Sequence, residues 1–302
     1  MAVLLRPHGI IPAMLTPFNA QDQVDEDALR QSVNRFIQAG VHGLFCLGTN
    51  GEFFSLTMEE KLRIVTVIVE EAAGRVPVYA GAGAITTRES VQLAEGMEAA
   101  GADALSVITP YFTPVSQLEL TVHYKAIASA TSLPIMLYHI PARTGVTLEG
   151  STVEKLASVP NIVGVKDSSG SFDNILQLID RTDGGDFSVL AGTDSLILWT
   201  LLAGGTGAVA GTANIAPRLA VSIYERWRNG DLEGAKQSQA RLLPIRRAAG
   251  LGTIPAPFKE ALNLLGISSG LARKPAGPLS EQAREELRSI LALYNAEELA
   301  LG

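Results

Sequence analysis

The chain has 302 residues, 47% hydrophobic and 18% charged, with 24 Lys and Arg against 31 Asp and Glu and a formal net charge of −7. That balance excludes a general phosphate-backbone binder, which needs a basic face, so no nucleic-acid partner is expected. The length suits one large core of the size that α/β barrels reach, and a locally positive pocket for a small anion remains compatible with an acidic protein.

Cys46 is the only cysteine. No disulfide can form within the chain, which points to a reducing, cytoplasmic setting. Cys46 lies inside the apolar run Gly43-Leu44-Phe45-Cys46-Leu47, where packing is its expected role. The N-terminal residues lack a signal-type apolar run. No uninterrupted stretch of about 18 apolar residues occurs, so no membrane span is expected.

In chain order, short apolar runs alternate with longer segments of helical spacing. A strand over 10–14 precedes a helix over 25–39, with Ala28, Leu29, Val33, Phe36 and Ile37 on one side. A strand over 43–47 leads to a helix over 57–73, whose opening Thr57-Met58-Glu59-Glu60 is a capping-box pattern. Strands over 76–80, 104–108, 134–138, 162–166, 188–191 and 208–210 follow. Helices over 87–100, 116–130, 152–159, 174–181 and 195–203 separate them.

Eight strands alternating with helices predict a parallel sheet with right-handed crossovers, closed as a (β/α)₈ TIM barrel. An open doubly wound sheet would carry a nucleotide-binding turn early, and Gly81-Ala82-Gly83 is too incomplete to be one. After residue 210, helices over 216–228, 232–249, 257–265 and 280–293 run with no strand between them. The expected division is therefore a barrel over 1–224 and a small C-terminal helical region over 225–302.

Barrel active sites lie at the C-terminal strand ends. There the sequence places Gly48-Thr49-Asn50-Gly51-Glu52 after the second strand and Thr109-Pro110-Tyr111-Phe112 after the fourth. Tyr138 ends the fifth strand, with Arg143 just beyond it. Lys166 ends the sixth, in Ile162-Val163-Gly164-Val165-Lys166-Asp167-Ser168-Ser169-Gly170, and Gly192-Thr193-Asp194 follows the seventh. A lone lysine at the mouth of an apolar strand either snorkels to solvent or is held as an amine nucleophile for a carbonyl. The company of a tyrosine, an arginine and two glycine turns at the same barrel end favours the nucleophile.

The remaining motifs point elsewhere. His8, His42, His123 and His139 show no metal-ligand spacing, so neither a metal nor an organic cofactor is expected. His42 and His123 read as surface or helix-end residues, and His139 as either site-lining or packing. No G-x-S-x-G elbow occurs.

With these pieces in view, the sequence resembles the dihydrodipicolinate synthase / N-acetylneuraminate lyase family from about residue 10 to residue 265. The matching motifs are Gly48-Thr49-Asn50-Gly51-Glu52, Tyr138-His139-Ile140-Pro141-Ala142-Arg143-Thr144-Gly145, Gly164-Val165-Lys166-Asp167 and Ala191-Gly192-Thr193-Asp194. The resemblance implies a barrel enzyme in which Lys166 forms an imine with pyruvate and the derived enamine adds to an aldehyde, or the reverse. It implies that Tyr138 relays protons, and that Thr49 and the backbone of Asn50 bind the pyruvate carboxylate. Arg143 would bind a carboxylate on the aldehyde, and Gly48, Gly192, Val209 and Phe112 complete the implied substrate-binding set.

Two positions depart from the synthase pattern. Asn50 stands where a threonine is usual, and Phe112 where a second tyrosine reaches into a neighbouring subunit's site. The implied partners are thus a small 2-oxo acid and an aldehyde, in a homodimer or homotetramer. The sequence is also similar to 4-hydroxy-2-oxoglutarate aldolases and 2-keto-3-deoxy sugar-acid aldolases or dehydratases. A non-catalytic 2-oxo-acid binding protein is the alternative of another class.

Overall fold

Short β-branched runs flanked by turns pair in parallel where helical crossovers separate them. In the computed structural model, which describes residues 5–183 and 186–300, all eight expected strands form. They are β1 (Gly9–Pro12), β2 (Leu44–Cys46), β3 (Val78–Gly81), β4 (Ala104–Ile108), β5 (Ile135–His139), β6 (Ile162–Asp167), β7 (Ser188–Ala191) and β8 (Gly207–Ala210). The sheet order β1-β8-β7-β6-β5-β4-β3-β2 is parallel throughout. A parallel bridge between Ala13 and Phe45 brings β1 and β2 together, and Met14 N–H donates to the Phe45 carbonyl at 2.8 Å. The result is a (β/α)₈ barrel.

Around it run α1 (Glu26–Gln38), α2 (Met58–Ala72), α3 (Thr87–Ala99), α4 (Gln117–Ser129), α5 (Pro141–Thr144), α6 (Gly150–Ala157), α7 (Phe172–Thr182), α8 (Ile197–Leu202) and α9 (Pro217–Arg228). The one-turn α5 was not expected. The Thr57–Glu60 capping box opens α2 as the sequence predicts, and a second box, Ser116 with Glu119, opens α4.

Three helices follow: α10 (Leu232–Ala248), α11 (Ala256–Leu264) and α12 (Glu281–Leu291). The boundary expected after residue 224 falls inside α9, so it is corrected toward the turn that follows Arg228. Nor does the C-terminal region pack as a separate unit. Ala235, Leu242, Ile245, Phe258 and Leu262 join the same buried cluster as the barrel side chains. Among the described residues, no helix is long and apolar enough to cross a membrane.

His123 is a correction to the sequence reading, being buried on the inner side of α4 with Nδ1 2.9 Å from Thr87 Oγ1. Burial pushes its imidazole from 6.5 down to about 4. Between those values the unfolded chain binds a proton that the folded chain refuses, so stability falls as pH drops from 6.5 toward 4. The expected loss is up to about 3 kcal/mol. His123→Gln should remove that part of the slope in urea midpoints measured across this range. An unchanged slope contradicts the assignment.

Candidate active site

The register of β5 against β6 sets Tyr138 beside Lys166. Both are buried and line one cavity of about 310 Å³ at the C-terminal strand ends. Lys166 Nζ lies 3.8 Å from the centre of the Tyr138 ring and 5.0 Å from that of Phe45. No carboxylate pairs with this amine among the described residues. It is a buried amine aimed into a cavity, not a snorkelling side chain.

Gly192 is what makes room for it. A Cβ at this position would sit 2.0 Å from Ser168 Oγ and 3.0 Å from Lys166 Cε. The glycine of the β7 turn therefore permits the lysine to cross it.

Thr49 Oγ1 is 3.2 Å from the Tyr138 hydroxyl, the distance of a hydrogen bond. The turn that carries Thr49 is held by its own backbone and by distant anchors. Leu47 and Glu52 both adopt left-handed backbone, and Glu52 N–H donates to the Thr49 carbonyl at 3.2 Å. Thr16 Oγ1 donates to the Gly51 carbonyl at 2.7 Å. The backbone N–H groups of Thr49 and Asn50 have no acceptor among the described residues. Free amides in such a turn suit an anion.

Glu52 anchors the turn from below. Its Oε1 lies 2.7 Å from Lys259 Nζ of α11, and its Oε2 accepts from Arg273 N–H at 2.8 Å. Both side chains of the ion pair are 1% exposed. Burial pushes the Lys259 ammonium below the usual lysine range, while Glu52 opposes that shift. Lys259 also donates to the Leu271 carbonyl at 2.9 Å. Removing one partner of such a pair strands the other without its counter-charge. Lys259→Met is expected to cost about 3–5 kcal/mol, read as a lowered urea midpoint. A midpoint at the wild-type value would show that the pair does not secure the turn.

Asp194, after β7, accepts from Gly211 N–H at 3.2 Å and Thr212 N–H at 2.6 Å. It ties the β7 and β8 turns together. His139 does not line the cavity: its Nδ1 lies 2.7 Å from Asp167 Oδ1, which also accepts from Asn174 Nδ2 at 3.0 Å. These groups point to the helix side of the sheet and brace β5 against β6. Cys46 is buried and does not line the cavity, and burial pushes its thiol up to about 12, as suits a packing residue.

The cavity brings together Lys166, Tyr138, Thr49, Asn50, Arg143, Gly192 and Val209 of the residues expected from sequence. Gly48 stands just behind it, where a Cβ would fall 2.6 Å from the Phe45 ring. Its role is to let Phe45 pack under the turn. Phe112 does not line this cavity. It adopts left-handed backbone and leaves its side chain 90% exposed, outside the chain's own cavity. The cavity is also lined by Ser168, Arg246, Ala249, Gly250, Ile254 and Phe258, which the sequence did not single out as site residues. Among the described residues no His, Cys, Asp and Glu cluster is placed to hold a metal ion.

A lysine amine, a tyrosine–threonine hydroxyl pair and an amide-lined turn in one cavity are the parts that imine chemistry requires. A family model, the Dihydrodipicolinate synthetase family, matches residues 6–293. The chain belongs to the dihydrodipicolinate synthetase family. Its relatives include a 4-hydroxy-tetrahydrodipicolinate synthase of Methanopyrus kandleri, 42% identical over 282 residues, which are 93% of this chain and 94% of that protein. Two solved structures are similar over nearly their whole length. One is the chloride-inhibited dihydrodipicolinate synthase from Acinetobacter baumannii complexed with pyruvate, with TM-score 0.91, 36% identity and coverage of 94% of this chain and 98% of that one. The other is the E. coli prophage protein YagE in complex with pyruvate, with TM-score 0.92, 36% identity and coverage of 97% and 99%. Family membership makes the chain a lyase.

Proposed function

We propose that this member of the dihydrodipicolinate synthetase family condenses pyruvate with a carboxylated aldehyde through an imine on Lys166, as a 4-hydroxy-tetrahydrodipicolinate synthase does. The observation that carries this reading is the buried, unpaired Lys166 amine set 3.8 Å from the Tyr138 ring in the cavity. The amine adds to the ketone carbon of pyruvate, and loss of water leaves an imine. The imine withdraws electrons, so a methyl proton leaves and an enamine forms. Its terminal carbon bonds to the aldehyde carbon, whose oxygen takes a proton. Water, or an amine of the product, then releases the lysine. Each step moves a proton, and the Tyr138 hydroxyl, 3.2 Å from Thr49 Oγ1, is placed to carry it. The free N–H groups of Thr49 and Asn50 receive the pyruvate carboxylate. Arg143, which lines the same cavity, receives the carboxylate of the aldehyde.

A second reading, cleavage of 4-hydroxy-2-oxoglutarate or a 2-keto-3-deoxy sugar acid, draws on Asn50, whose amide cannot relay a proton as a hydroxyl does. A substrate panel separates the two. Pyruvate with aspartate semialdehyde should give the highest kcat/KM, above glyoxylate and above cleavage of either keto acid. Preference for a keto acid moves the assignment to the second reading. Pyruvate binding without turnover of any partner leaves a 2-oxo-acid binding protein.

A further inference from the structure

Two cations face the cavity without a counter-charge. Arg143 comes from α5, beyond β5, and Arg246 from the last turn of α10, outside the barrel. Both line the cavity that holds Lys166, Thr49 and Asn50. Neither guanidinium has an ion pair or a side-chain hydrogen bond among the described residues, although the chain carries a formal net charge of −7. By contrast, Arg30, Arg63, Arg181, Arg241, Arg273, Arg284 and Arg288 each reach a carboxylate.

Asp194 is the one carboxylate on the cavity wall, and it is buried against Gly211 and Thr212 N–H groups. Among the described residues it forms no ion pair with either arginine. A guanidinium offers five N–H donors in a planar fork that matches a carboxylate. Arg246 is half-buried, and its guanidinium has no hydrogen-bond or ion-pair partner among the described residues. The residues just after it are small. Ala249 and Gly250 also line the cavity, and a Cβ built at Gly250 meets nothing within 4 Å. The wall beside Arg246 is thus open for a ligand.

We propose that Arg246 is a specificity-determining residue. With Arg143 it forms a two-guanidinium site for the anionic end of the second reactant, and so selects an aldehyde that carries a carboxylate. This deepens the Schiff-base reading and rests on it. The pyruvate carboxylate has its own seat on the turn that carries Thr49 and Asn50. A second anion is what the two arginines lack. The C-terminal helical region thereby contributes to substrate choice as well as to packing.

The test compares aldehydes of equal carbon count, succinic semialdehyde and butanal, each with pyruvate, and includes aspartate semialdehyde as a second carboxylated aldehyde. Arg246→Gln should raise KM for the carboxylated aldehydes at least about tenfold, the effect of losing a charge-assisted hydrogen bond. It should leave KM for butanal in place. Arg246→Lys, a point charge without the fork, should recover part of the loss. Arg247→Gln, at the exposed neighbouring position, should behave as wild type. Borohydride trapping of pyruvate is run on every variant.

An Arg246→Gln variant that matches wild type with carboxylated aldehydes overturns the assignment. So does an equal loss for charged and uncharged aldehydes, which marks a structural role. Failure of the wild type to use either carboxylated aldehyde while still forming the pyruvate adduct overturns it as well. Absence of any pyruvate adduct in the wild type overturns the Schiff-base reading itself, and this inference with it.

Discussion

Replacing Lys166 by methionine is expected to abolish both the pyruvate adduct and turnover, with kcat/KM down by at least about 10⁴-fold, while the fold persists. The size of the loss follows from removing the only atom that bonds to substrate, since residues acting as nucleophiles cost about 10⁴–10⁶ when removed. Persistence of the fold follows from the surroundings of the amine. It has no ion-pair partner among the described residues, so its loss orphans no buried carboxylate. Its neighbours are the Tyr138 and Phe45 rings, against which a methionine thioether packs well. Lys166→Arg should fail equally, because it retains charge but not the nucleophilic amine. Far-ultraviolet circular dichroism and thermal midpoints report the fold, and steady-state kinetics the activity. Retention of more than a few per cent of wild-type turnover in Lys166→Met would show that the imine forms elsewhere or not at all.

Removal of one oxygen carries the next largest effect. Tyr138→Phe keeps the ring beneath Lys166 Nζ and edge-on to Phe45, with centroids 6.2 Å apart, but deletes the hydroxyl that meets Thr49. A positioned proton relay contributes about 10²–10⁴-fold. The expected drop in kcat lies in that range, with KM for pyruvate little changed, since the carboxylate seat is the 49–50 turn. Thr49→Val removes the other half of the 3.2 Å hydroxyl pair. The double variant should be no worse than about the poorer single one, because two groups that act as a unit are not additive. Additive losses would mean that Thr49 and Tyr138 work separately. Less than a tenfold loss in Tyr138→Phe would place the proton route elsewhere.

The fold was legible because each strand is short, apolar and followed by a helix of regular spacing. All eight strands appear within two residues or so of the expected ends, and the Thr57–Glu60 box starts its helix as read. The deep half of the site was legible for the same reason. Once β5 and β6 are neighbours in a barrel, Tyr138 and Lys166 at their C-terminal ends must meet. The outer half was not. Arg246, Ile254 and Phe258 reach the cavity from α10, α11 and the segment between them, a placement set by how the C-terminal helices pack. Periodicity carries no signal for it. Glu52 and Lys259 are similarly far apart in sequence, and neither looks buried from its own surroundings, yet their pairing holds the turn that presents Thr49. His123 was misread because a histidine on an otherwise amphipathic helix is usually near solvent, whereas here Thr87 meets it from α3. Phe112 is 90% exposed on its own chain, as suits a position that the family resemblance directs toward a neighbouring subunit.

The central claim is that Lys166 forms a covalent imine with pyruvate. The direct measurement is borohydride reduction of the protein in the presence of pyruvate, followed by intact-mass and peptide mass spectrometry. The account predicts one reduced pyruvyl adduct per chain, on the peptide that contains Lys166, and none in Lys166→Met. An unmodified Lys166 in folded protein at saturating pyruvate, or an adduct confined to other lysines, contradicts it.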